Sequence, residues 1–238
     1  MNRELFNLMS MIGLSLGLLT GVVQNPTPAE NPAIPTVTFN CLWEAATPQD
    51  YTITVRSTAT ARYVSTNPLR SVEDRAENPD YDMEFTLSTP GAAKVFALAT
   101  QAKYFDGDFD YKKHAVADTG KKTLTYADMV RHFQTTYNWS ENPAIDQLSR
   151  FFQGLSSTIE SGRKLQFLHR FDKLGLEAQL KAMEDEAQNG YLAELQVIAP
   201  VLQSIASDAS VMNIARQRAR RLLELGKVQA AGQGKLPQ

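Results

Sequence analysis

Tyr51-Thr-Ile-Thr-Val-Arg56 alternates large apolar and hydroxyl side chains, and after the small polar turn Ser57-Thr-Ala-Thr60 the same rhythm returns in Ala61-Arg-Tyr63-Val-Ser65. A period of two places Tyr51, Ile53 and Val55 on one side of a strand and Thr52, Thr54 and Arg56 on the other, so this stretch predicts a half-buried antiparallel hairpin. Working outward, Thr36–Phe39 is a short strand before it. Beyond a polar loop from Thr66 to Asp80, Tyr81, Met83, Phe85 and Leu87 alternate as a further strand. Lys121–Tyr126 and Val130–Trp139 form a second hairpin, with Phe133, Tyr137 and Trp139 sharing a face opposite Val130, His132 and Gln134. Between the hairpins, Thr89-Pro90 supplies an N-cap hydroxyl and a helix-starting proline. Ala92, Val95, Phe96, Ala99 and Ala102 then give that helix one apolar stripe. The pattern is an antiparallel sheet with one covering helix and a threonine-rich wet face.

After Asn142-Pro143 the period changes to three and four. Ile145, Leu148, Phe152, Leu155 and Ile159 set a helical stripe that Gly162 interrupts and Leu165, Leu168 and Phe171 resume, so a long or kinked helix is predicted over this span. Leu176, Leu180 and Met183 predict another, ending at Asn189-Gly190. Leu192, Leu195, Ile198, Leu202 and Ile205 predict a third, kinked or ended by Pro200. A last helix is capped by Asp208 or Ser210 and carries Val211, Ile214, Ala215, Ala219, Leu222 and Leu223. The fold class is therefore α+β: a small antiparallel β-sheet with one covering helix, then an all-helical C-terminal part of three to four helices. Five segments follow: 1–23, a signal peptide or signal anchor; 24–35, a Pro-rich linker; 36–140, the sheet-plus-helix domain; 141–226, the helical domain; and 227–238, a disordered polar tail.

The amino terminus sets the expected compartment. Leu5–Val23 is nineteen residues without a charge, preceded by Arg3 and followed by no Lys or Arg until Arg56. That asymmetry sends the chain outward, whether the segment is cleaved or retained as an inner-membrane anchor. The expected location is the periplasm or cell surface, and any membrane association runs through residues 5–23. Pro26, Pro28, Pro32 and Pro35 make the following stretch an extended spacer.

Composition excludes several classes. With 24 Lys and Arg against 26 Asp and Glu, the net charge is −2, and no basic excess points to nucleic acid. One cysteine rules out an intramolecular disulfide framework. Phosphate-loop, dinucleotide and nucleophile-elbow motifs are absent, as are paired zinc-spaced histidines, so no cofactor is expected.

Two resemblances are visible. Tyr51-Thr-Ile-Thr-Val, Ala61-Arg-Tyr, Lys103-Tyr-Phe105 and Thr119-Gly-x-Lys-Thr-Leu-Thr-Tyr126 resemble exported bacterial proteins carrying a small domain of unknown function. The resemblance spans Tyr51 to Trp139 and implies export but no activity. In many such relatives a cysteine and a glycine-rich turn precede the first strand pair, whereas Cys41-Leu-Trp43 stands in a glycine-free setting. Val201–Leu225 resembles a HEAT-type helical hairpin, which implies a surface for protein partners.

Candidate sites are few. Cys41 with a histidine, His132 above all, is the nameable thiol–base pair and would make the protein an exported hydrolase. Asp106, Asp108 and Asp110 have the opening rhythm of a calcium loop, but Tyr111 and Ala117 stand where glycine and glutamate are needed. Glu184-Asp-Glu186 reads as a solvated face. Arg216, Arg218, Arg220 and Arg221 read either as a cluster for anionic lipid or an acidic partner, or as cations at a helix C-terminus. These readings favour a non-enzymatic binding or scaffold module with a protein partner, the hydrolase being the alternative.

Overall fold

The computed structural model describes residues 34–67 and 79–232. The signal segment, most of the Pro-rich linker and the end of the tail lie outside them. Strands β1 (Thr36–Leu42), β2 (Asp50–Arg56), β3 (Thr60–Thr66), β4 (Tyr81–Thr86), β5 (Lys121–Ala127) and β6 (His132–Tyr137) form one antiparallel sheet in the order β4-β3-β2-β1-β5-β6. Helices α1 (Thr89–Gln101), α2 (Pro143–Phe171), α3 (Leu176–Gln188), α4 (Ala199–Ser207) and α5 (Asn213–Ala230) complete it. The chain is α+β, as its periodicities dictate.

The alternation sorts the faces of the sheet. Val37, Phe39, Tyr51, Ile53, Val55, Tyr63, Leu124 and Tyr137 are buried in one core. On the other face hydroxyls meet in register, Thr38 with Thr54 and Thr123 with Thr136. The sheet is covered by two helices rather than one, because the first half of α2 shares its core: Ile145, Leu148, Phe152, Leu155 and Ile159 pack with the strands and with α1. Helix α2 crosses the strands. Its Ser149 meets Tyr137 of β6, Phe152 stacks on Phe39 of β1, Glu160 meets Tyr63 of β3, and Arg163 lies over Tyr81 of β4. Fourteen residues of helix cover about 21 Å, close to the roughly 24 Å that separates the outer strands. Past that edge Leu165 enters a second core with Leu176, Leu180, Leu202, Ile205 and Leu222.

Several local expectations are corrected. Ser88, not Thr89, caps α1, accepting from Gly91 N. The long helix expected across Gly162 is present as α2, and the glycine lets Ile198 approach so closely that a β-carbon would sit 2.3 Å from Ile198 Cγ2. The third predicted helix is divided at Pro200, as expected: a 3-10 helix spans Leu195–Ile198, and Pro200 lies in the first turn of α4, where its missing N–H is harmless. Neither Asp208 nor Ser210 caps α5. Met212 holds that place without a side-chain bond, and Asp208 instead ends α4. The tail is helical to Ala230; Gly226 comes close to Leu195 and Gln196, and Gln229 accepts from Leu195 N at 3.1 Å and donates to Leu192 O at 3.3 Å.

Candidate functional site

The polar groups of the inner sheet face form a seam along α2. Tyr63 donates to Glu160 Oε1 at 2.7 Å and Ser65 donates to the same oxygen at 2.9 Å. Tyr137 and Ser149 are 2.7 Å apart. The Tyr51 hydroxyl engages Cys41 and Ser156. Burial pushes the Tyr51, Tyr63 and Tyr137 hydroxyls far above their ordinary values, so they stay protonated.

Cys41 lies in this seam, opposite Tyr51 on one side and Lys122 on the other. Burial raises its thiol pKa, and the Lys122 ammonium offsets only part of that. Lys122 is itself buried and its pKa is lowered for that reason. Its ammonium bonds the carbonyls of Thr119, Gly120 and Asn138 at 2.9, 3.1 and 2.8 Å and the Thr119 hydroxyl at 2.9 Å. It clamps a turn and is not free to activate a neighbour.

The structure does not bring Cys41 and His132 together. Cys41, Lys122 and Tyr137 share a row of the sheet, whereas His132 is in register with Ala127. Five residues along a strand is about 17 Å, and His132 is exposed on the opposite, outward face. His114 is exposed in the loop before β5, and His169 ends α2 with its Nε2 2.9 Å from Asp208 Oδ2.

The three loop aspartates diverge. Asp106 is exposed. Asp108 pairs with Lys112, which holds its pKa down, and accepts from Asp110 N at 3.1 Å. Asp110 turns to the end of β6 and accepts from Asn138 N at 3.0 Å. Among the described residues no three His, Cys, Asp or Glu converge as a metal site would require. Asp108, Tyr111, Lys113 and Glu141 line an open cleft of about 430 Å³ that the 2.7 Å Lys113–Glu141 ion pair crosses.

Glu184 is no solvated carboxylate. It is buried and pairs with Arg218 and, at 2.7 Å, with Arg221, while Arg218 also reaches Glu177 at 3.1 Å. Arg220 donates to Ala206 O at 3.1 Å. Three of the four arginines of α5 thus tie it to α3 and α4, the structural use of that cluster.

The free end of α2 is the surface that sequence reasoning missed. Leu165 and Leu168 face the second core. Phe167, two positions on and so about 200° round the helix, points the other way, 60% exposed. Phe171 is not part of the buried stripe either: it is 64% exposed, 5.1 Å from the Phe167 ring, with Arg170 5.0 Å above its own ring. Leu174, 77% exposed, follows. The spacing of four between two phenylalanines was the available signal. This end is held firmly, for Asp208 accepts from Lys173 at 2.7 Å beside its bond to His169, and Lys173 also bonds Ser210 at 2.6 Å. No family model matches the chain, and no match was found among curated proteins.

Proposed function

We propose that this is an exported, non-enzymatic binding or scaffold module, held at the envelope through its amino-terminal segment and presenting the end of α2 to a protein partner. The exposed Phe167–Phe171 pair carries this reading. Aromatic side chains beside an arginine are the residue types that dominate interface energetics, and a rigid mount lowers the entropy lost on association. Leu5–Val23 and the spacer behind it support the envelope placement. Photo-crosslinking residues placed at 167 and 171 in the native host test the surface. A discrete adduct at both, missing when the probe is at Thr54 on the hydroxyl face, is the expected result; identical patterns at all three positions overturn it. Fractionation tests the placement, which fails if the untagged chain is cytosolic with Met1 intact.

A further inference from the structure

The β5–β6 hairpin ends in two apolar side chains that the turn itself does not call for. Tight hairpin turns favour Gly, Asn and Asp, yet here Met129 and Val130 occupy the tip, 77% and 89% exposed. The turn is rigid. Asp128 N donates to Arg131 O at 2.9 Å, and Asp128 Oδ1 accepts from Val130 N at 2.8 Å and Arg131 N at 2.7 Å. The Arg131 guanidinium stacks 4.0 Å over the Tyr104 ring. The tip is therefore displayed rather than folded back.

The same end of the sheet receives the chain from its amino-terminal part. Arg56, Thr36, Ala127 and His132 form its last row, and Pro35 O accepts from Ser57 N at 2.8 Å beside it. Before Pro35 lie the proline spacer and the uncharged Leu5–Val23 stretch. At the fully extended limit of about 3.6 Å per residue the twelve residues 24–35 reach no more than about 43 Å, a leash short enough to keep this end near whatever holds residues 5–23.

We propose that the Met129–Val130 tip seats in the surface of the lipid bilayer to which the amino-terminal segment tethers the protein. The two side chains enter the boundary between headgroups and acyl chains, and Arg56 faces anionic headgroups, while Arg131 stays on Tyr104 and Asp128 and holds the turn. A wedge of two residues is weak alone, but tethering makes its insertion intramolecular and raises its effective concentration. The inference rests on the anchored reading of residues 5–23 given above.

The test uses the full chain in vesicles of phosphatidylethanolamine with anionic phosphatidylglycerol as the minor lipid, with Val130→Cys or Lys112→Cys carrying an environment-sensitive fluorophore. Lys112 is at the opposite end of the sheet, in the loop beside Ser140 and Glu141, and native Cys41 is buried. Nitroxide-bearing lipid is expected to quench the label at 130 several-fold more than at 112, and Met129→Ser to reduce that difference. A chain that does not float with the vesicles overturns the anchored reading and this one with it. A floating chain with equal quenching at 130 and 112 overturns this inference alone. A blue-shifted but unquenched label at 130 in native membranes also overturns it, since a protein then covers the tip.

Discussion

Gly91 lies directly beneath the Glu194 carboxylate: a β-carbon at position 91 would stand 2.2 Å from Glu194 Oε1. Glu194 is buried, its backbone is left-handed at φ 57°, and its two oxygens accept from Ser88 N at 2.6 Å and Ser88 Oγ at 2.8 Å. A carboxylate at the positive end of α1 joins the sheet half of the chain to the segment leading into α4. Gly91→Ala must push it away, at a cost of about 1–3 kcal/mol. Glu194→Ala costs about 1–2 kcal/mol through the unpaired Ser88 amide. Since the clash needs both side chains, the double variant is expected to be less destabilised than the sum. Urea titrations of the four proteins measure this; additive losses would show that the two residues do not interact.

The Cys41 thiol should be silent. Burial holds its pKa above the ordinary value, and the Tyr51 and Lys122 side chains that act on it are themselves buried. A disulfide reagent at about pH 8, near the free thiol pKa, is expected to label the native protein only at the rate of unfolding and the urea-denatured protein at once. Fast native labelling would reopen the thiol mechanism.

Much of this architecture was legible because the sheet buries one face. Tyr51, Ile53 and Val55 had to share a side, and the structure puts them there. What was not legible depends on pairs distant in sequence. Nothing local distinguishes a glycine that breaks a helix from one that admits Ile198, as Gly162 does. Nor does Glu184-Asp-Glu186 announce that Arg218 and Arg221 arrive from a later helix. The exposed end of α2 was hidden for a related reason. Phe171 fits the spacing of three from Leu168, and only the position of the second core shows that the stripe turns away before it.

Asp208 predicts an acid-dependent loss of stability. Its hydrogen bonds to Lys173 first, then to Ser210 and His169, hold its carboxyl well below the ordinary range. A group depressed in the folded state stabilises above its unfolded pKa of about 3.9, and that stabilisation fades as pH falls through the folded value. Asp208→Asn removes the linkage. The difference in melting temperature between wild type and variant is expected to shrink as pH falls below about 3.9. A difference that holds unchanged to about pH 2 would contradict the role assigned to this carboxylate.

Lys103, Tyr104 and Phe105 run consecutively through left-handed backbone, with φ of 53°, 59° and 70°. For residues with a β-carbon this conformation costs about 1–2 kcal/mol each. The return is visible at two of the three positions: Phe105 is fully buried in the first core and Tyr104 packs on Tyr126, 4.7 Å between rings, beneath Arg131. Lys103 is exposed, so its side chain offers nothing against the strain. Lys103→Gly is therefore expected to stabilise the protein by about 0.5–1 kcal/mol, the relief exceeding the extra entropy glycine loses on folding. Phe105→Gly, on the same strained turn, is expected to destabilise by about 3–5 kcal/mol, because the loss of a buried ring outweighs any relief. Thermal and urea unfolding of both variants decide the matter. A Lys103→Gly protein no more stable than wild type would mean that the left-handed turn is not strained at its first residue.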